Sequence, residues 1–306
     1  MSGIETNRTN IALPGEVSSE IITKVQEQSA IMRLASKIDL PGLGTTIPII
    51  TGDPEADWVD ETNVKPVSNP SLSLKNMKGY TIAVIVPFSN QFRRDMKALY
   101  DEIVRRLPGA LAKKYDNTIF NGTAPGTGFD VLTGCTAESI STGSPARGIY
   151  KALVACDTGI AIAGYAANGY ALSPQARGVL LETVDSTGRP IFIDAVSEGA
   201  IPRLLGQSAF YSRGVYGAGN AASGTEGQEG YVAAKDDVLG FAGDWTQARY
   251  GIVEGVTISI SDQATLTVNN QMINLWERNM FAVRAEIEVG FVAMSDAFRK
   301  ITRTHA

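Results

Sequence analysis

Leu13, Val17, Ile21 and Val25 recur every four residues in LPGEVSSEIITKVQEQSAIMRLA, with Pro14 where a first helical turn tolerates it. This spacing predicts an amphipathic helix near the N-terminus. The period then changes. An apolar run, Ile47 to Ile50, and a later alternating run, Leu72, Leu74 and then Tyr80 to Val86, flank a middle rich in Pro and Asp. That arrangement predicts a long two-stranded hairpin with an irregular far end. The middle, Gly52 to Pro70, carries only Trp58 and a few valines as apolar content, too little to fold back into a core. About twenty extended residues at ~3.3 Å each reach roughly 60 Å. Such an arm projects beyond its own globule, and an isolated hairpin in water needs a partner surface.

Ser89 offers an N-cap to the next segment, where Met96, Leu99, Ile103, Leu107, Leu111, Tyr115 and Ile119 form one apolar stripe at helical spacing. About 25 helical residues make a rod of roughly 37 Å. Pro108-Gly109 interrupts the stripe and predicts a kink or two helices in series. Asn121-Gly122 ends the element, and the glycine-rich GTAPGTGFDVLTG marks a boundary. From Thr123 to about Gly251 the chain turns to small residues and short elements. Arg147 to Cys156 has helical spacing. A strand ends at Leu172, followed by Ser173 as N-cap, Pro174 at the first helical position, a helix through about Val184 and a turn at DSTG. YGAGNAASGTEGQEG reads as a mobile loop, and YGIVEGVTISIS as a strand. In MFAVRAEIEVGFVAMSDAFRKI, Phe281, Val283, Ala285, Ile287 and Val289 alternate with Arg284, Glu286 and Glu288, predicting a long half-exposed strand. The fold class is α+β.

Composition narrows the function more than it names it. The 306 residues are 44% hydrophobic and 19% charged, enough for one large core or two modest ones. No stretch approaches a membrane span, and MSGIETNRTNIALPGE lacks the basic-then-apolar pattern of a signal peptide, so the expected compartment is a cytoplasm. A net charge of -5 and a pI near 5.1 argue against a protein that grips nucleic acid through phosphates. Cys135 and Cys156 suggest buried thiols rather than a disulfide framework. The single histidine, His305, stands one residue from the C-terminus, which removes Ser-His-Asp and Cys-His chemistry and most zinc sites. It reads as a solvated tail residue.

The densest polar cluster is GDPEADWVDET, with Asp53, Glu55, Asp57, Asp60 and Glu61 around Trp58. As an EF-hand loop starting at Asp53 it fails where glycine is required, at Trp58, and where glutamate is required, at Val64. As a glycosidase pair it lacks the closed pocket that raises one carboxyl pKa. The G-x-G-x-x-A string in YGAGNA is followed by ASGTEGQEG, which is no helix, so no phosphate-binding loop is built. Lys78, Lys113, Lys114, Arg105 and Arg106 form small basic clusters of the solvated kind. No metal, cofactor-binding or catalytic site emerges; a solvated or inter-subunit role for the acidic strip does.

Six strings in order resemble the major capsid proteins of tailed bacteriophages, the Hong Kong 97-type family. They are LPGEVSSEIITKVQEQSAIMRLA as N-terminal arm; ADWVDET with IAVIVPFSNQFRRD as the extended E-loop and its exit; LAKKYDNTIFNG ending the spine helix; GYALSPQARGVLLETVDSTGRPIF with RLLGQ in the axial domain; and LGFAGDWTQARYGIVEGVTISIS and FAVRAEIEVGFVAMSDAFRKI closing the peripheral domain. The resemblance implies an arm over 1–41, an E-loop over 42–88, a peripheral domain over 89–122 and 251–306 with a long spine helix, and an axial domain over 123–250. It implies a non-enzymatic shell subunit, assembled in the host cytoplasm into pentamers and hexamers that enclose double-stranded DNA without sequence-specific binding. Itself, a scaffolding protein and a portal are the implied partners, with a decoration protein as a further one and no membrane. Candidate inter-subunit contacts are Trp58, Asp60, Glu61, Lys65, Arg93 and Arg94. Some members form a Lys-Asn isopeptide crosslink aided by a glutamate; here Lys65, Lys75 or Lys78 would supply the amine, with Asn279 and Glu286 in the corresponding region. Two alternatives stand beside this reading. One is an encapsulin-type nanocompartment shell, and the other a cytoplasmic α/β enzyme using carboxylates near residues 53 to 61.

Overall fold

The computed structural model describes residues 15–50, 58, 59, 65, 72–91, 96–140, 145–184, 187–189, 191, 192, 203–223, 231–268 and 271–305. In chain order, the first elements are α1 (Gly15–Gln28), α2 (Ala30–Leu34), β1 (Ser36–Asp39), β2 (Thr45–Ile50), β3 (Leu72–Met77), β4 (Tyr80–Ser89) and α3 (Met96–Asn121). There follow β5 (Ala137–Ser139), α4 (Pro145–Ile162), β6 (Gly169–Leu172), α5 (Pro174–Glu182), β7 (Arg203–Leu204), β8 (Gln207–Tyr211) and β9 (Asp237–Gly243). The last are β10 (Ala248–Ser261), β11 (Thr265–Val268), β12 (Gln271–Asn274), β13 (Met280–Ala293) and β14 (Phe298–Arg303). Two sheets dominate, one of order β1-β10-β13-β4 and one of order β5-β14-β9-β6-β8-β7. The mixture of helix and sheet is the α+β class expected.

The helical spacing at the N-terminus folds as α1, which buries Ile21 and Val25; Leu13 and the side chain of Val17 lie outside the described residues. The spine stripe buries Leu107, Leu111, Tyr115 and Ile119 in the same core, against Phe281, Val283, Ala285, Ile287 and Val289 of β13. Truncating one such leucine to alanine costs about 2–5 kcal/mol. A second core gathers Leu153, Cys156 and Ile160 of α4 and Leu180 of α5 on the six-stranded sheet. Within the first core, Phe120 at the end of α3 reaches the six-stranded sheet through Phe241 of β9 (4.8 Å between ring centroids), beside Trp245 and Phe298.

Several expectations change. The helix at Pro108 is not broken in two: α3 runs unbroken through it. The proline forfeits one backbone hydrogen bond, but Leu107 beside it and Leu111, Tyr115 and Ile119 after it are buried and hold the helical path. Ser89 is not its N-cap; it ends β4, and its hydroxyl accepts from the Gln91 amide at 3.4 Å. The long hairpin divides. β2 pairs with β3 from Thr45 opposite Met77 to Ile50 opposite Leu72, whereas β4 pairs with β13 from Met280 opposite Ser89 to Val289 opposite Tyr80. The chain crosses between them at Gly79, where a Cβ would stand 2.8 Å from Glu288 Oε1. β13 is less exposed than the alternation implies, because Ala282, Gly290 and Val292 are also buried; Arg284 is its one exposed residue.

The supposed mobile loop is paired. Gly217, Asn220 and Ser223 form antiparallel bridges with Val238, Lys235 and Val232, and residues 224–230 lie outside the described part. Nor is His305 a free tail residue, since its Nδ1 lies 2.9 Å from Asp237 Oδ1. The strand-turn-helix at Leu172 is as expected, with the Ser173 hydroxyl accepting from the Ala176 amide and Pro174 opening α5.

Candidate assembly interface

The β2-β3 hairpin leaves the body from a small apolar base. Ile47 and Met77 are buried there with Leu40 and Val292. Gly44 (φ +86°) permits the turn into β2, and a Cβ on it would meet the Met77 carbonyl oxygen at 2.6 Å. Farther out the apolar content is left to solvent: Leu74 is 69% exposed.

One polar group fastens the hairpin sideways. Lys75 Nζ donates to Asp130 Oδ2 at 2.6 Å and to the Ala293 carbonyl at 2.8 Å. Asp130 is itself bolted to β13, because its amide donates to the Phe291 carbonyl at 2.9 Å and its Oδ2 accepts from the Ala293 amide at 3.1 Å.

Of the six contact candidates, Trp58 is fully exposed and Lys65 is exposed. Asp60, Glu61, Arg93 and Arg94 lie outside the described residues. Of the crosslink candidates, Lys75 is engaged as above. Asn279, at φ 55°, accepts from Asn90 Nδ2 at 2.6 Å, and Glu286 Oε1 lies 3.4 Å from Arg284 Nε.

Sequence reasoning missed other features. Exposed Tyr150, Val154 and Ile162 lie on α4, and exposed Met272 and Trp276 on or beside the β11-β12 hairpin. Exposed aromatics of this kind supply rigid contact area to protein interfaces. The least foreseeable group is Asp116, fully buried on α3. It accepts from the Ser29 hydroxyl (2.6 Å), the Ala30 amide (2.8 Å), the Ser212 hydroxyl (2.8 Å) and the Ile31 amide (3.4 Å). Burial pushes its carboxyl up to about 6, against the opposing pull of those donors. The carboxylate thus caps α2 from a different helix, and only its position one residue beside the apolar stripe hints at this.

No group of three or more His, Cys, Asp or Glu residues among the described ones is placed to hold a metal ion. An apolar gap of about 10 Å³ lies between α4, α5 and the sheet, lined by Ile149, Leu153, Leu180, Leu239 and Ile301. It is the size of one water and offers no polar partner, so it is a packing gap. No helix of the described residues is long and apolar enough to cross a membrane.

Comparison with known proteins gives this geometry a setting. The model of the phage capsid family matches residues 9–302. The protein named "Probable major capsid protein gp17" of Mycobacterium phage L5 is 28% identical over 309 residues, covering 96% of this chain and 90% of the relative. A solved chain of Gordonia phage Cozz superposes with a TM-score of 0.65 at 22% identity, covering 91% of this chain and 87% of that one. A chain of the capsid of the native GTA particle, computed with C5 symmetry, gives 0.60 at 12% identity over 99% and 96%.

Proposed function

The chain belongs to the phage capsid family, and from that premise we propose that copies of it close an icosahedral shell of pentamers and hexamers of the Hong Kong 97 type around double-stranded DNA. It is a major capsid protein of tailed phages, a virion component that associates with itself. Its curated relatives are named as capsid proteins; that this chain catalyses nothing is part of the proposal. So are assembly in the host cytoplasm, a scaffolding protein, a portal and a decoration protein as partners, and the division into an arm (1–41), an E-loop (42–88), a peripheral domain (89–122 and 251–306) and an axial domain (123–250).

The observation that carries the reading is the hairpin. Its base is buried with Leu40 and Val292 while Leu74 and Trp58 stand in solvent. A projecting arm with uncovered apolar side chains is an aggregation hazard unless another surface receives it, and symmetric assembly supplies that surface. In this reading Trp58 anchors on the neighbouring subunit, Asp60 and Glu61 meet basic groups there, and Lys65, Arg93 and Arg94 contribute to the same contacts. The net charge of -5 suits a wall beside packed DNA that must not trap phosphates. Strong salt-sensitive binding of isolated subunits to duplex DNA would refute that last point.

The test is expression followed by sedimentation and electron microscopy. Closed particles roughly tens of nanometres across support the shell, and a subunit that stays monomeric even when co-expressed with the scaffolding protein of its phage refutes it. Deleting residues 53–70 should leave subunits folded but unable to close particles.

A further inference from the structure

We propose that Lys75 is a positioning residue for assembly: by tying β3 to Asp130 and to the Ala293 carbonyl, it sets the direction in which the hairpin leaves the subunit. This rests on the reading that the hairpin seats on a neighbouring copy. The hairpin has two kinds of attachment. The first is apolar: Ile47 and Met77 pack with Leu40 and Val292. Such contacts hold the base in place but are non-directional, so they resist tilting of a long arm weakly. The second is the Lys75 ammonium, with acceptors at 2.6 Å and 2.8 Å.

Three details make the second attachment a fixed stop rather than a surface ion pair. Lys75 and Met77 share one side of β3, and Lys75 stands two residues, about 6.7 Å, farther out than Met77. Both acceptors belong to the β13 frame, one through its carbonyl and the other through the two bonds that Asp130 makes to Phe291 and Ala293. One ammonium meeting a β13 carbonyl and a loop carboxylate that is itself bonded to β13 has a defined direction, which a lone exposed pair lacks. Two residues of β3 held on β13 fix the line of the strand, as one residue cannot. Beyond that point Leu74 is already 69% exposed.

A small error in that line grows along the arm. Because the chain must return between the paired Ile50 and Leu72, the far point lies at most about 14 residues beyond Lys75, roughly 45 Å at ~3.3 Å each, and a tilt of about 5° then displaces it by up to about 4 Å, the scale of a lost side-chain contact. Lys75 therefore governs whether arms arrive in register on their neighbours, with little bearing on whether the subunit folds.

The test compares wild type with Lys75→Met, which keeps the aliphatic stem, and Lys75→Arg, which keeps the cation and reaches the same acceptors. Each variant is expressed as the full chain under identical assembly conditions. Closed-particle yield is read by sedimentation and electron microscopy, and unassembled-subunit stability by denaturant unfolding. Lys75→Met should cut the yield of closed particles about tenfold, the change that a total loss of about 1.4 kcal/mol in the assembly equilibrium produces. Its subunit unfolding should remain within about 0.5 kcal/mol of wild type, the range of ordinary surface changes. Lys75→Arg should restore most of the yield. Normal particles from Lys75→Met overturn the inference, and so does a stability loss matching the assembly loss. The 53–70 deletion separates the two readings: if it still closes particles, the seating of the hairpin itself is refuted, whereas if it fails while Lys75→Met assembles normally, only the role of Lys75 falls.

Discussion

Replacing Asp116 by alanine should be among the most damaging single changes in this chain, and its cost can be worked out bond by bond. Four donors converge on the carboxylate: the hydroxyls of Ser29 and Ser212 and the amides of Ala30 and Ile31. The hydroxyls can rotate towards other acceptors, but the two amides open α2 and point where the backbone directs them. A buried donor left without a partner costs about 1–3 kcal/mol, so the amides alone account for about 2–6 kcal/mol. The Ser29 hydroxyl also caps Met32, so a shift there loosens the start of α2 as well. Asp116→Asn keeps one acceptor oxygen, and its NH₂ can donate to the Ser212 hydroxyl, so about 1–2 kcal/mol is expected, the scale of one weakened hydrogen bond. Guanidinium unfolding of unassembled subunits at pH 7, followed by tryptophan fluorescence, measures both variants. If Asp116→Ala unfolds within about 0.5 kcal/mol of wild type, or is no worse than Asp116→Asn, the four-donor cage does not hold α2 to the spine helix.

Asp116 also predicts a pH dependence. Burial raises its carboxyl from 3.8 to about 6, so the native state holds that proton more tightly than the unfolded chain does. The stabilisation is complete below about pH 3.8 and is lost as pH rises through about 6; relative to Asp116→Asn, wild type should lose about 3 kcal/mol across that window in unfolding titrations. The thiols should be silent in the native subunit, because burial pushes Cys135 up to about 11 and Cys156 to about 12. A thiol reagent at pH 8 should label neither in folded subunits and both in denaturant; rapid native labelling would contradict their burial. Leu205 (φ 49°) and Gly206 (φ 83°) form the two-residue turn between β7 and β8. Leu205→Asn should stabilise the subunit by about 0.5–1 kcal/mol in denaturant unfolding, since asparagine accepts the left-handed region that leucine resists; a loss would show that the leucine side chain is packed rather than tolerated.

Period and punctuation carried far in this chain. The spine stripe, the Ser173-Pro174 start of α5, the alternation in β13 and the projecting β2-β3 hairpin were all legible, because each is a local relation among residues a few positions apart. Pairing across distance was not. Nothing local states that Tyr80–Ser89 leaves the hairpin for β13, since an alternating run fits either partner. The glycines of YGAGN suggested freedom, yet a Cβ on Gly219 would overlap the Lys235 carbonyl; they are there for close approach between paired strands. His305 looked like a frayed end because its partner, Asp237, stands 68 residues earlier. Of the contact candidates, Trp58 is as exposed as a docking anchor requires, and the neighbouring copy it would meet in the proposed shell cannot be read from a linear sequence.

The polar joints follow a common plan that explains why they escaped a linear reading. Asp116 ties the start of α2 and Ser212 to the spine helix, Asp130 ties Lys75 to β13, and Asp237 collects the Gly219 amide and His305. In each case one short acidic side chain gathers donors from segments far apart in sequence. Apolar cores hold layers together with little preference for angle, whereas a carboxylate with two or more donors fixes direction. On the reading proposed above, a subunit that presents its hairpin to neighbours in register needs both, cohesion from the cores and angle from the joints. By the same proposal, the acidic residues inside the fold matter to assembly as much as the strip from Asp53 to Glu61. Neutralising an internal joint should then disturb particle geometry before it unfolds the subunit wherever the joint is partly exposed, as at Lys75, and should unfold it first wherever the joint is fully buried, as at Asp116.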